Sequence, residues 1–458
     1  MNSFDFATIA ALATPLGRGG IAVIRISGAK TGAVLHAVLE KCPKLLKPRR
    51  VFYSFVKDGD KRIDECLVVF FKGPHSYTGE DVAEISIHSN PFLVEEVLNV
   101  ILRIAPTEIR LALPGEFTYR AYKNGKMDLV QAEAVKELID ANSRYYAHMS
   151  FGSLEGRLSS FMQALKAELV NLGVRIETRI EFEEDQFFDE ISIRQEIIAP
   201  LKRVETLLAN ARFNELLNKG LSVVIVGKVN VGKSSLFNTL LMEERSIISD
   251  IPGTTRDFIR EKLYIDGFPI EIVDVAGINQ NSQDSIEKLG MQRSLAQVES
   301  GDAVIVMVDG SLPLDAVDVD LYERIQKKRK LIVVNKLDKI AQSVPIEILN
   351  TFPGEHVVGI SVKEHLHIET ITAFLKGLVS EVKDKEAEFT INQRQRGALE
   401  ELNVVLGRAA QMVGVQGSQP ELIAEEIRRA LAIIGSLMGE ITPDDILQQI
   451  FSQFCIGK

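Results

Sequence analysis

The residues best suited to chemistry form one loop, Gly227-Lys228-Val229-Asn230-Val231-Gly232-Lys233-Ser234, in the pattern G-x-x-x-x-G-K-S. Glycines let such a backbone approach phosphates, and the N–H groups of the loop and of a following helix point at them. Lys233 would reach the β- and γ-phosphates, with Val231, Gly232 and Ser235 around them, and the Ser234 hydroxyl would hold Mg²⁺. Four further stretches follow in order. Gly253-Thr254-Thr255-Arg256-Asp257 offers a threonine to Mg²⁺ and the γ-phosphate. Asp274-Val275-Ala276-Gly277 is D-x-x-G, in which Asp274 would act on Mg²⁺ through water and the Gly277 N–H would sense the γ-phosphate. Asn335-Lys336-Leu337-Asp338 is N-K-x-D; an aspartate there accepts N1–H and N2–H of guanine, a pair of donors that adenine lacks. Ser361-Val362-Lys363 would support the base. In this order the five stretches predict a GTPase.

What is missing also constrains the chemistry. Small GTPases place a glutamine after D-x-x-G to orient the attacking water, and Ile278 stands there. The polar stretch from Gly277 to Gly290 offers Asp284 and Glu287 as carboxylates within reach. The side-chain carbonyl of Asn230 lies where it could hold a monovalent cation in place of an arginine finger; the alternative is a tolerant loop position.

These loops need elements to carry them. LSVVIV (221–226) reads as a buried strand before the loop and SLFNTLLM (235–242) as a helix after it. Further apolar runs, PIEIVDV, AVIVMVD, KLIVVN and HVVGIS, alternate with helical patterns, which predicts a mostly parallel sheet covered on both faces. Upstream, residues 20–28, 66–71 and 81–88 read as strands and 92–104 as a helix. The stretch from Pro114 to Asp128 mixes turn formers, aromatics and charges and reads as a domain connector or a site loop. From Asp128 to Asn218 the pattern is helical, interrupted by the acidic run 181–190, a solvated connection or a place for a metal or basic partner. Helical patterns return after Asp384, and Thr442-Pro443-Asp444-Asp445 reads as an N-cap, a first-turn proline and two acids opening a last helix to about Phe454. The expected architecture is α/β plus all-α. It has an α/β domain over 1–122, a helical domain in two parts, 123–218 and 384–458, and a P-loop domain over 219–383 inserted between them.

Composition bounds the rest. At 458 residues the chain is too long for one core. A net charge of −10 excludes a general polyanion binder, so any nucleic-acid contact needs a local basic patch or a partner. Three cysteines, Cys42, Cys66 and Cys455, form no C-x-x-C, which argues against a zinc or disulfide framework and for reducing cytoplasm. The first residues carry no basic region ahead of their apolar ones, and no apolar run is long enough to span a bilayer, so neither signal peptide nor membrane span is expected.

The stretches DFATIAALATPLGRGGIAVIRISG, GEDVAEISIHS, PGEFTYRAYKNGKMDLVQAEA, GKVNVGKSS, DIPGTTRD and the terminal FCIGK resemble the tRNA uridine-5 carboxymethylaminomethyl modification GTPases, the MnmE or TrmE family. The resemblance covers essentially the whole chain. It implies a folate-binding-like N-terminal α/β domain that forms the homodimer and binds a 5-formyl- or methylene-tetrahydrofolate through Arg25, Glu84, Lys126 and Lys458. It implies a Ras-like G domain activated by K⁺-dependent dimerisation, in which the side chains of Asn230 and Thr254 and the carbonyls of Ser249 and Ile251 hold K⁺. Ser234 and Thr255 would hold Mg²⁺, Asp250 and Pro252 would join the nucleotide contacts, and Glu287 would orient the attacking water through a second water. With an FAD-dependent partner protein, in a heterotetramer, such proteins add an aminomethyl or carboxymethylaminomethyl group to C5 of the tRNA wobble uridine. Val275 stands where the family commonly has threonine. Cys455 is either a thiol for the modification chemistry or a packing residue. The second class of function the G domain allows is a regulatory switch or an RNA or ribosome assembly factor, which would have no use for the folate residues.

Overall fold

The computed structural model describes residues 7–181, 190–244, 259–274, 297–326, 328–340, 343–383, 388–413, 420–440 and 443–457. The chain packs as two compact units, Met1–Ile139 with Phe151–Glu205 and Gly397–Lys458, and Asp140–Ser150 with Thr206–Arg396.

The first unit begins with β1 (Thr8–Leu12), β2 (Gly19–Ser27), α1 (Thr31–Val38), β3 (Val51–Asp58), β4 (Lys61–Phe71), β5 (Val82–Ser89), α2 (Pro91–Ile104) and β6 (Ile109–Leu111). The sheet runs β3-β4-β5-β2-β1-β6, antiparallel except for the β1–β6 pair. Alternation along the strands sends Ile24, Ile26, Val68 and Ile85 into one core with Val34 and Leu35 of α1 and Val97 and Ile101 of α2. Asn90 opens α2 by accepting the Phe92 N–H at 2.9 Å, with Pro91 in the first turn. The other sheet face stays open. Val51, Tyr53 and Leu67, cross-strand neighbours on β3 and β4, are 64%, 51% and 50% exposed.

The remainder of this unit is helical. The stretch after Pro114, expected as irregular, contains α3 (Glu116–Lys123), and α4 (Leu129–Ile139) follows. The mixed composition of α3 has a physical cause: Glu116 and Arg120 are buried, as are Phe117 and Thr118. Glu116 takes two hydrogen bonds from Arg110, one from Arg120 and one from the Leu113 N–H, all at 2.7–2.8 Å. Arg120 continues to Glu80 at 3.0 Å, and Glu80 accepts the Ser27 hydroxyl at 2.7 Å. Next come α5 (Arg144–Leu154), which belongs to the second unit up to Ser150, α6 (Arg157–Glu181) and α7 (Glu190–Lys219), which passes into the second unit at Thr206. Helix α6 packs along the helix Pro420–Met438, far away in sequence, so the helical part is discontinuous as expected.

The last helix, Asp444–Phe451, differs from the reading at both ends. Pro443 occupies the cap position with ψ 142°, so the helix starts one residue later, and Thr442 lies outside the described residues. Its end is fixed by packing. Phe451 meets the ring of Tyr119 at 5.3 Å, and the Gly115 N–H donates to the Cys455 carbonyl at 3.4 Å. The tail then passes so close to β1 that a Cβ on Gly457 (φ +95°) would lie 2.1 Å from the Leu12 carbonyl oxygen.

In the second unit β7 (Leu221–Gly227) leads into α8 (Lys233–Glu244), followed by β8 (Ile259–Ile265), β9 (Phe268–Asp274), β10 (Ala303–Asp309), β11 (Arg329–Asn335) and β12 (Val357–Gly359). The order is β12-β11-β10-β7-β9-β8, parallel except for β8. Val223 and Ile225 pack on one side of β7, Val224 and Val226 on the other, which is why these strands read as continuous apolar runs. Two details depart from the sequence pattern. HVVGIS supplies only three strand residues, and the antiparallel β8 was not expected because its polar residues hide the alternation. Tyr146 and Met149 of α5 join this core beside Leu263 and Phe268, and the Arg144 N–H donates to the Gly267 carbonyl at 3.3 Å.

The Glu116 carboxylate is wholly buried between two arginines. Glu116→Gln removes the charge both pair with and is expected to cost about 3 kcal/mol. A chemical denaturation midpoint unchanged from the parent would contradict the network's role.

Candidate functional site

Gly227 ends β7 and Lys233 begins α8, so the loop between them lies at the carboxyl ends of parallel strands, where open α/β sheets bind ligands. Its glycines are sterically required. A Cβ on Gly232 (φ +104°) would fall 2.4 Å from the Asn335 side-chain nitrogen. Lys233 is 7% exposed, and its ammonium donates to the loop's own carbonyls, Gly227 at 3.0 Å and Lys228 at 2.8 Å. Burial pulls its pKa below the usual lysine value, opposed by the Asp274 carboxylate. Asp274, at the end of β9, accepts the Ser234 hydroxyl at 2.8 Å. A hydroxyl and a carboxylate side by side are the oxygen donors a hard cation such as Mg²⁺ takes.

Asn230 sits at φ +64°, the left-handed region that asparagine tolerates better than other side chains, so backbone geometry is itself a reason for this residue. Its carbonyl accepts the Lys336 ammonium at 2.9 Å, and its exposed side chain hydrogen-bonds to no described residue.

The base-reading stretches converge on the same loop. Asn335 ends β11 and is 4% exposed. Its amide donates to the Val231 carbonyl at 2.8 Å and its oxygen accepts the Val362 N–H at 3.1 Å. It thus ties the phosphate loop to the Ser361–Lys363 turn. Asp338 is exposed and accepts the Ser361 hydroxyl at 2.7 Å, which holds its carboxyl below the usual range. Lys363 is 79% exposed at the rim. Ser235, the third residue of α8, is also exposed.

Two groups escaped the motif reading. Asp309, at the end of β10, pairs with Lys336 at 2.6 Å; burial works against its charge, but Lys336 and Ser311 hold its pKa low. Its position at a strand's carboxyl end was the available signal. Lys228 pairs with Asp315 at 2.7 Å and Asp318 at 2.6 Å; burial lowers its pKa, but the two carboxylates prevail and raise it. Nothing local in sequence announces that pair. Ser249, Asp250, Ile251, Pro252, Gly253, Thr254, Thr255, Val275, Ala276, Gly277, Asp284, Glu287 and Lys458 lie outside the described residues.

In the first unit Arg25 and Glu84 face each other across the β2–β5 pair, joined by hydrogen bonds of 2.9 and 2.8 Å to one carboxylate oxygen. Arg25 also reaches the Gly457 carbonyl at 3.4 Å, which brings the C-terminal tail to the pair. Lys126, after α3, donates to the Pro74 carbonyl at 3.0 Å. Cys455 is exposed. Among the described residues no group of three or more histidine, cysteine, aspartate or glutamate side chains could hold a metal ion, and no helix is long and apolar enough to cross a membrane.

A phosphate loop, a D-x-x-G aspartate and an N-K-x-D reader on a mostly parallel sheet define a Ras-like GTP-binding hydrolase domain. The chain also carries an α/β domain and discontinuous helices. Residues 8–126 match the family model "GTP-binding protein TrmE N-terminus" and 129–455 the model "MnmE helical domain". The chain is 38% identical to "tRNA modification GTPase MnmE" of Thermotoga maritima over 98% of its own length and 100% of that protein. It is 36% identical to the protein of that name from Aquifex aeolicus, over 98% and 99%. Among solved structures, Era bound to MgGDPNP and a segment of 16S ribosomal RNA is 26% identical, covering 44% of this chain and 69% of that one at a TM-score of 0.30, an overlap too partial to carry an argument. The chain belongs to the tRNA modification GTPase MnmE family, and it is a GTP hydrolase.

Asp338 matches guanine only as an acceptor. Asp338→Asn puts an amide donor against the base and is expected to weaken GDP binding about 100-fold while improving xanthosine diphosphate. Titration with both nucleotides checks this, and retained guanine preference would remove Asp338 from base reading.

Proposed function

We propose that the chain uses GTP hydrolysis to drive modification of the wobble uridine of certain tRNAs at C5. In this reading it works as a homodimer with an FAD-binding partner protein and takes a one-carbon unit from a reduced folate. Family membership over the full length carries the tRNA assignment. The Asn335 bridge, with Lys233, Ser234, Asp274 and Asp338 around it, supports the nucleotide assignment.

In this reading Lys233 meets the β- and γ-phosphates, Ser234 and Thr255 ligate Mg²⁺, and Asp274 orients a water on that ion. Asn335, Lys336, Asp338 and the turn 361–363 hold the guanine. The open Asn230 side chain supports a K⁺ ligand role, with Thr254, Ser249 and Ile251 completing the set on a segment outside the described residues. When bound, K⁺ supplies positive charge at the phosphates as a second G domain closes. Ile278 leaves water orientation to another group, and Glu287 is assigned it. The domains divide at 122, 218 and 383.

The N-terminal sheet supports two further parts. Its open face with Val51, Tyr53 and Leu67 suits burial against a second copy. Arg25, Glu84 and Lys126, with Lys458, suit an acidic, pterin-bearing ligand, because carboxylate and cations can serve its donors and its glutamate tail. Reduced folate binding also separates this reading from a regulatory switch, which would bind none.

Hydrolysis is expected to run about 100-fold faster in K⁺ than in Na⁺; equal rates in the two salts would remove Asn230 from cation binding. Glu287→Ala should preserve GDP affinity and slow turnover about 100-fold. Unchanged turnover would move the role to Asp284.

A further inference from the structure

Helix α3 plays no part in the nucleotide site, yet Glu116, Phe117, Thr118 and Arg120 are all buried. Phe117 faces Arg25 directly, and Thr118 does so through Tyr77. The Arg25 guanidinium lies 5.8 Å from the centroid of the Phe117 ring and 5.5 Å from that of Tyr77, within the distance at which a cation is attracted by an aromatic face. Tyr77 is held in turn by Thr118, hydroxyl to hydroxyl at 2.8 Å. Three Arg25 N–H groups donate, two to one Glu84 oxygen and one to the Gly457 carbonyl, and the side chain is 17% exposed. Donors and rings together leave the guanidinium little freedom.

We propose that Tyr77 and Phe117 are positioning residues of the one-carbon site, acting through Arg25 to fix how the Arg25–Glu84 pair meets a reduced folate. This rests on the folate reading of Arg25 and Glu84. Tyr77 meets Arg25 with its ring, and the Thr118 bond steadies that ring, so Tyr77→Phe keeps the aromatic face and loses only the tether. Phe117 is wholly buried and belongs to the core of the domain, which leaves Tyr77 as the residue to vary.

The test uses the full chain with Tyr77→Met and Tyr77→Phe, and Tyr77→Leu in place of the first if it does not fold. Binding of 5-formyl-tetrahydrofolate is measured by calorimetry. The Arg25 Nε–H resonance, assigned with Arg25→Lys, is followed by NMR without ligand. Tyr77→Met is expected to weaken folate binding about tenfold and to broaden the Arg25 signal. Tyr77→Phe should bind within about twofold of the parent and keep the signal sharp. Weaker binding with an unchanged Arg25 signal would mean that the ring touches the ligand directly, and overturns the positioning role. Equal loss in both variants, or in neither, overturns it too. If the unaltered protein binds no folate, the folate reading falls, and the Arg25 signal alone then decides whether the rings hold this arginine.

Discussion

The nucleotide site depends on one buried amide. Asn335 has to reach the phosphate-loop carbonyl of Val231 with its nitrogen and the N–H of Val362 with its oxygen. Both bonds lie inside the protein, where an unmet donor or acceptor costs about 1–3 kcal/mol. The register of β10 and β11 puts Asn335 beside Asp309, and Asp309 aims Lys336 at the Asn230 carbonyl. The loop 227–234, the N-K-x-D stretch and the turn 361–363 are therefore one hydrogen-bonded assembly. A shift of Asn335 or Lys336 is felt at the loop without any long-range device.

The same loop is self-satisfied. The Lys233 ammonium rests on the carbonyls of Gly227 and Lys228. An anionic phosphate competes for this ammonium, and burial makes the exchange worthwhile because a desolvated lysine gains more from a negative partner than an exposed one. The Lys228 side chain anchors the loop from outside on Asp315 and Asp318, which are themselves locked in a capping box at the start of the helix Ala316–Arg324.

The first unit solves a different problem. An antiparallel sheet with one face packed by α1 and α2 leaves polar and apolar groups together on the other. Beside them runs a half-buried chain of ion pairs, Arg110 to Glu116 to Arg120 to Glu80. Glu116 and Arg120 are its buried members, and removing Glu116 takes the shared carboxylate from both arginines. The C-terminal tail closes this region through Cys455 and Gly457, so residues near both ends of the chain meet there.

The nucleotide motifs were legible because their chemistry is local: a strand, a few glycines and a helix start suffice, and periodicity marks strands buried on both faces. The α/β-plus-helical class was legible for the same reason. Strand β8 and helix α3 were not, because a half-exposed strand and a helix that buries charge break the alternation and periodicity used to find them. By itself the sequence determined the GTP chemistry, the family and the missing water-orienting glutamine, since each is written in contiguous residue types. Only the tertiary structure decided that Asp309 serves Lys336, that Lys228 pairs with Asp315 and Asp318, and that Tyr77 and Phe117 flank Arg25. Those partners lie tens of residues apart, and strand register and helix packing, not local pattern, bring them within a few ångströms.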